Sequence, residues 1–221
     1  MKKVAFFHST MNTPLPLKQA FHARFPDTPL ITVMDDSILP EVIENGGNFT
    51  PGIVRRLATF GTNVQLQGAA VAVCMCTTLT SAVAQAAQSM EIPFITIDGP
   101  MLEEAVTRGN KVALLITANT TLVASSRSAR EAAVRAGRGD IQIDTILVEG
   151  AFDALNVHHD KALHDKLIVE AARREAQTHD VIALAQVSMV DAAKDLQDLP
   201  VPVLTSLKSG IDQIARYIEE A

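Results

Sequence analysis

The chain of 221 residues repeats itself. Lys3-Val4-Ala5-Phe6-Phe7 matches Lys111-Val112-Ala113-Leu114-Leu115, and Ala70-Val71-Ala72-Val73 matches Asp180-Val181-Ile182-Ala183. Ile92-Pro93-Phe94-Ile95-Thr96 likewise matches Val201-Pro202-Val203-Leu204-Thr205. The offsets of 108, 110 and 109 residues are nearly constant across three elements in one order. Such spacing points to two copies of one unit.

The repeated segments read as buried strands with helical stretches between them: Val4 to Phe7, Leu30 to Val33, Ala69 to Val73 and Phe94 to Ile97, then Val112 to Ile116, Ile141 to Leu147, Val181 to Ala185 and Val201 to Leu204. Strand and helix in alternation build parallel sheets covered by helices. The expected fold is α/β: two similar lobes, each a four-stranded, mostly parallel sheet with flanking helices, related by a pseudo-two-fold. Residues 1–98 with 207–221 would form the first lobe and 99–206 the second, with a C-terminal helix from Leu207 to Glu220 packing back onto the first. Open α/β sheets bind ligands beyond the carboxyl ends of their strands, so the site is expected in the cleft between the lobes.

Composition narrows the function classes. Hydrophobic residues make up 48% of the chain, enough for a real core. No apolar run reaches the roughly 18 residues that would cross a bilayer, and Met1-Lys2-Lys3 leads into a strand-length segment rather than a signal-peptide core. A cytoplasmic location without a membrane partner is the resulting expectation. A net charge of −6, no Trp and a single Tyr argue against a nucleic-acid surface, which needs a basic stripe and stacking aromatics. No glycine-rich phosphate fingerprint and no credible set of metal ligands stand out, so neither cofactor nor metal is expected. A small-molecule site is favoured, and a homo-oligomer is compatible with the sequence.

The repeat pairs the segments that follow the strands. The first strands end in Ser9-Thr10 and Thr117-Ala118-Asn119, and the third in Cys76-Thr77-Thr78 and Gln186-Val187-Ser188. Cys76 therefore pairs with Gln186, and Thr78 with Ser188. A thiol at the carboxyl end of a parallel strand, followed by hydroxyls and free amides, is placed for proton transfer or for attack on a bound anion. Cys74, two residues earlier in the same strand, reads as core packing. Both are expected as reduced thiols, since cysteines one residue apart in extended backbone cannot bridge.

Other residues admit two readings. Thr77, Thr78 and Thr80 serve either as helix caps or as carboxylate ligands, because both roles use the same groups. Ser9, Thr10, Asn119 and Thr120 divide in the same way. His8 is either a base or a hydrogen-bonded strand-end imidazole. Asp35, Asp36 and Asp98 read first as capping residues. His158, His159, Asp160, His164 and Asp165 read as a solvated helix start. Gly46-Gly47-Asn48-Phe49-Thr50-Pro51 is a flexible turn leading to another capped helix, and it could also close over the crevice as a lid.

Several of these segments carry a family resemblance over essentially the whole chain. His8-Ser9-Thr10, Val33-Met34-Asp35-Asp36-Ser37-Ile38-Leu39, Cys76-Thr77-Thr78, Asp98-Gly99-Pro100-Met101 with Glu103-Glu104-Ala105, and Ala185-Gln186-Val187-Ser188-Met189 together resemble the aspartate/glutamate/hydantoin racemase superfamily. That superfamily also holds maleate isomerase and arylmalonate decarboxylase. The resemblance implies cofactor-independent chemistry on small carboxylates, with two cysteines on opposite sides of the substrate carbon in the racemases. Cys76 matches the first cysteine, and Thr77 and Thr78 match residues that hold a substrate carboxylate. Asn119 and Thr120 fall where the second lobe makes its carboxylate or oxyanion contacts. Gln186 stands where the second cysteine would be, followed by Val187 and Ser188. A primary amide cannot take up or deliver a proton near neutrality, so ordinary two-base racemisation is not expected. The expectations that remain are a one-thiol isomerase, a one-base lyase of the decarboxylase kind, or a carboxylate-binding protein without catalysis.

Overall fold

The computed structural model describes residues 2–11 and 14–219. It divides into two compact units, Met1–Ile97 with Gly210–Ala221, and Asp98–Ser209. Each holds one four-stranded sheet whose pairings are all parallel.

In the first unit β1 (Lys3–His8), β2 (Leu30–Met34), β3 (Ala69–Cys74) and β4 (Phe94–Thr96) lie in the order β2-β1-β3-β4. The connecting helices are α1 (Pro14–Arg24), α2 (Ile38–Glu44), α3 (Pro51–Leu66) and α4 (Thr80–Ala87). Because successive strand residues face opposite sides, Ala5 and Phe7 of β1, with Ala72 and Cys74 of β3, join Ile38, Val42, Ile53, Leu57 and Phe60 in one core. Phe6 faces the other way and meets Phe21 of α1 edge-on, ring centroids 5.3 Å apart. Burial on both faces explains why these strands read as unbroken apolar runs.

In the second unit α5 (Gly99–Arg108), β5 (Lys111–Ile116), α6 (Leu122–Arg135), β6 (Gln142–Leu147), α7 (Ala151–Asn156), α8 (Lys161–Glu175), β7 (Val181–Leu184) and β8 (Val203–Thr205) form a sheet of order β6-β5-β7-β8. Val112, Leu114 and Ile116 pack with Met101, Ala105, Ala129 and Ala132. Ala113 and Leu115 pack on the opposite face with Ile168, Ala171 and Leu184. The expected α/β class and the two four-stranded sheets are what the structure has.

Some boundaries and roles differ from expectation. β8 starts at Val203 rather than Val201, since Pro202 has no N–H to donate; its carbonyl accepts from Ile182 N at 3.0 Å. The helix expected from Ala82 to Met90 is α4, which stops at Ala87; Gln88 to Met90 turn off through short bonds such as Met90 N to Ala87 O, 3.1 Å. Asp98 stands before α5 without capping it and is 1% exposed. Asp160 does cap α8, accepting from Leu163 N at 2.9 Å. His164, expected in a solvated helix start, is instead wholly buried, its Nδ1 2.8 Å from Ala151 O. Sequence spacing set it on a polar stretch, but α7 folds against that side of α8.

The final helix, α9, runs Ser206–Glu219, so the end expected at Glu220 lies outside the described residues. Gly210 lets α9 approach the end of β4: a Cβ there would stand 2.7 Å from Ile97 O and collide with the Ile97 side chain. Gly210→Ala is expected to cost about 1–2 kcal/mol net, overpacking outweighing the helix-propensity gain. A urea midpoint equal to or above that of the parent would show that the contact is soft.

Candidate functional site

The order 2-1-3-4 places a switch point between the first and third strands of each sheet, where the connections leave in opposite directions and open a crevice at the strand ends. Ser9 follows β1 and Cys76 follows β3 in the first unit; Thr117 follows β5 and Gln186 follows β7 in the second. Phe7 is in register with Cys74, and Leu115 with Leu184. Just beyond, Met75 N donates to Phe7 O at 2.9 Å and Ala185 N to Leu115 O at 3.1 Å.

The third-strand turns are built alike. Cys76 (φ −124°, ψ 106°) and Gln186 (φ −109°, ψ 143°) are both extended and precede short 3-10 helices, Thr77–Leu79 and Val187–Met189. Leu79 N donates to Cys76 O at 3.1 Å, and Met189 N to Gln186 O at 3.0 Å. The repeat seen in the sequence is thus also a repeat of backbone hydrogen bonding.

Cys76 is half-buried against the first unit's core. Burial pushes its thiol up from the ordinary range, while the hydroxyls of Ser9 and Thr78 and the amides of Thr78 and Leu79 pull the other way. The Cys76 side chain makes no capping hydrogen bond to the short helix that follows it. Burial is the largest influence, so the resting group is the protonated thiol at neutral pH. Cys74 is fully buried, its Sγ 3.7 Å from Cys76 O. Neither cysteine is in a disulfide.

The second unit puts an amide where the first has a thiol. Gln186 Oε1 accepts from Thr117 N at 2.6 Å and from Thr117 Oγ1 at 2.8 Å. Thr117 was not among the residues the sequence singled out for the site, although the offset of 108 that carries Lys3 to Lys111 also carries Ser9 to Thr117. In both units, then, the hydroxyl after the first strand addresses the side chain after the third. Ser9, Thr77 and Thr78 are buried. Asn119 is exposed, whereas Thr10, Thr120, Val187 and Ser188 are half-buried on the same turns, outside the two hydrogen-bonded clusters.

Two acid-base candidates are accounted for by structure. His8 is 1% exposed, and burial lowers its pKa to about 4, so the imidazole is neutral at pH 7. Asp35 is engaged by Arg56, whose Nε lies 2.9 Å from Oδ2, and by Ser37, whose Oγ lies 2.7 Å from Oδ1. Partial burial opposes ionisation there, but the Arg56 and Ser37 hydrogen bonds hold the carboxyl below its ordinary pKa. Arg56 also reaches Glu41 at 2.9 Å, which accepts from Thr50 at 2.8 Å. These bonds join α2 to α3 beside a crevice of about 520 Å³ that Met34, Arg55 and Thr59 also line. Cys76 is not part of that crevice.

Duplicated sheets of order 2-1-3-4, with paired turns at their switch points, define an α/β protein of the class that places ligands beyond the strand ends. The chain belongs to the Asp/Glu/hydantoin racemase family, whose model matches residues 8–214. By sequence, no curated protein matches the chain. Among solved structures it is similar to a glutamate racemase from Bacillus anthracis (TM-score 0.69, 13% identity, 99% of this chain and 82% of that one). It is also similar to the aspartate racemase of Picrophilus torridus (TM-score 0.69, 13% identity, 98% and 94%). A double mutant of arylmalonate decarboxylase in liganded form gives a TM-score of 0.65 at 20% identity, over 99% and 93%. No helix among the described residues is long and apolar enough to cross a membrane.

Proposed function

We propose that the protein is a cofactor-independent isomerase or lyase acting on a small carboxylic acid, with Cys76 as proton donor or nucleophile. The observation that carries this reading is the setting of Cys76: a thiol at a switch point, facing the hydroxyls of Ser9 and Thr78 and two backbone amides. Its only fellow cysteine is sealed in the core. Thr77 and Thr78 would hold a carboxylate, with Ser9 and Thr10 beside the thiol. Asn119, Thr120, Val187 and Ser188 stand on the matching turns and would supply hydrogen bonds to ligand oxygens. Gln186 can do the same, but its amide has no pKa near neutrality and cannot act as acid or base.

A resting thiol favours donation over a standing thiolate base. In a lyase step the bond from the α-carbon to the departing carboxylate breaks, CO₂ leaves and an enediolate remains. Cys76 gives its proton to that carbon and recovers one from solvent. In an isomerase step the thiol proton passes to solvent and the sulphur adds to an activated double bond, whose π pair moves to the carbon beside the carboxylate; after rotation the pair returns, the C–S bond breaks and the sulphur is reprotonated from solvent. Family membership supports chemistry on small acids, and the amide at position 186 argues against a two-thiol racemase.

The test is a panel of substituted malonates, maleate, aspartate and glutamate incubated in D₂O and followed by NMR. One deuterium in the product, or isomerised maleate, is the expected result. Ligand-induced thermal stabilisation without conversion or exchange across the panel would favour the binding-only alternative, and neither response would dispose of both.

A further inference from the structure

The Thr117–Gln186 pair has a directional chemistry that the thiol turn lacks. The backbone N–H of Thr117 is a fixed donor, so the atom 2.6 Å from it must be the amide oxygen of Gln186. Turning the amide over would set its NH₂ against that N–H and forfeit the hydrogen bond. The Thr117 hydroxyl, 2.8 Å away, takes the second lone pair of the same oxygen. Both acceptor sites are then occupied. What remains is the Nε2 group with two hydrogens, on a half-buried side chain at a switch point. Thr117 itself is only 5% exposed, so water competes poorly for its hydroxyl.

We propose that Thr117 is a positioning residue that locks Gln186 as a donor-only group, making the second turn a reader of carboxylate or carbonyl oxygen that discriminates against ligand donors such as ammonium or amide N–H. This rests on the small-acid reading above and adds to it a rule of selectivity. Thr117 acts through Gln186 and need not touch the ligand. Both lone pairs being taken, a ligand N–H finds no acceptor there, whereas a ligand oxygen finds two hydrogens.

The experiment uses the ¹⁵N-labelled full chain, with the Gln186 side-chain signals assigned by their loss in Gln186→Ala. The amide should show an order parameter near that of rigid backbone, about 0.85. Thr117→Val, equal in shape, should mobilise it, and Thr117→Ser should restore it. Malonate, succinate and L-glutamate are then titrated while Cys76 alkylation by iodoacetamide is followed at about pH 9, where a raised thiol begins to react. A probe that the second turn reads should shift the Gln186 amide signals. Its affinity should fall about fivefold in Thr117→Val, the value of one hydrogen bond. It should fall at least about tenfold in Gln186→Glu, where a carboxylate would face the ligand's oxygen.

An amide that is mobile in the parent, or unaffected by Thr117→Val, overturns the proposal. So do Gln186 signals that no probe moves, an outcome that spares the proposed function where a probe protects Cys76. A chain in which no probe protects Cys76 or moves Gln186 loses both.

Discussion

Cys76→Ser is expected to lower deuterium incorporation, or turnover of whichever acid the panel identifies, by about 10²–10⁴, the usual contribution of a positioned acid-base group. Serine keeps the size and hydrogen-bonding capacity of the side chain. It fails as a proton donor because its hydroxyl is far less acidic than even a thiol raised by burial. The donors from Ser9, Thr78 and Leu79 that face the sulphur would stabilise the thiolate left after donation, and a serine alkoxide would still be too costly. Binding should survive, so ligand-induced thermal shifts in Cys76→Ser should stay within about twofold in affinity of the parent. Cys74→Ala provides the contrast: it removes a fully buried thiol from the core and should cost stability of about 1 kcal/mol while leaving the rate unchanged. If Cys76→Ser turns over at the parent's rate, the thiol is not the reacting group.

The second large effect is on stability in mild acid. His8 has a folded pKa of about 4 against 6.5 for the free side chain, because it is buried. A histidine depressed in this way gives a contribution that is whole above about pH 6.5 and is lost as pH falls toward 4, since the unfolded chain takes up the proton first. The expected loss on going from pH 7 to pH 4.5 is at most about 3 kcal/mol from this residue. Most carboxylates still carry their charge over that window. His164 and His179 are also buried, so the diagnostic measurement is a difference. Urea midpoints of the parent and His8→Gln are compared at pH 7, 5.5 and 4.5, and the variant should have the flatter dependence. Parallel curves would mean that His8 does not stay neutral on folding.

The strands were legible because sheets buried on both faces demand apolar runs: Val71-Ala72-Val73-Cys74 and Val181-Ile182-Ala183-Leu184 admit few other readings. Their ends were less legible, since a strand stops where pairing stops. Pro202, apolar and next to β8, looked like strand until its missing N–H was weighed against the ladder. His164 was misread for a different reason. Its neighbours His158, His159 and Asp160 are exposed, and only the fold of α7 against α8 determines that His164 turns inward. Asp35 looked like a helix cap because capping is a local bond, whereas its main partner, Arg56, lies 21 positions away in sequence.

The candidate site divides along the same line. Composition, the near-constant offsets and the residues after each strand are properties of the chain itself; they already specified two parallel α/β sheets and the pairing of Cys76 with Gln186, and the motifs after the strands carried the resemblance to the family. Side-chain direction is not written locally. That Ser9 addresses the Cys76 sulphur, that Thr117 takes both lone pairs of Gln186, and that His8 is held neutral are outcomes of packing strands from distant segments side by side. Desolvation and hydrogen-bond geometry exist only once that packing is complete, so the chain named the candidate groups and the tertiary structure decided their protonation and orientation.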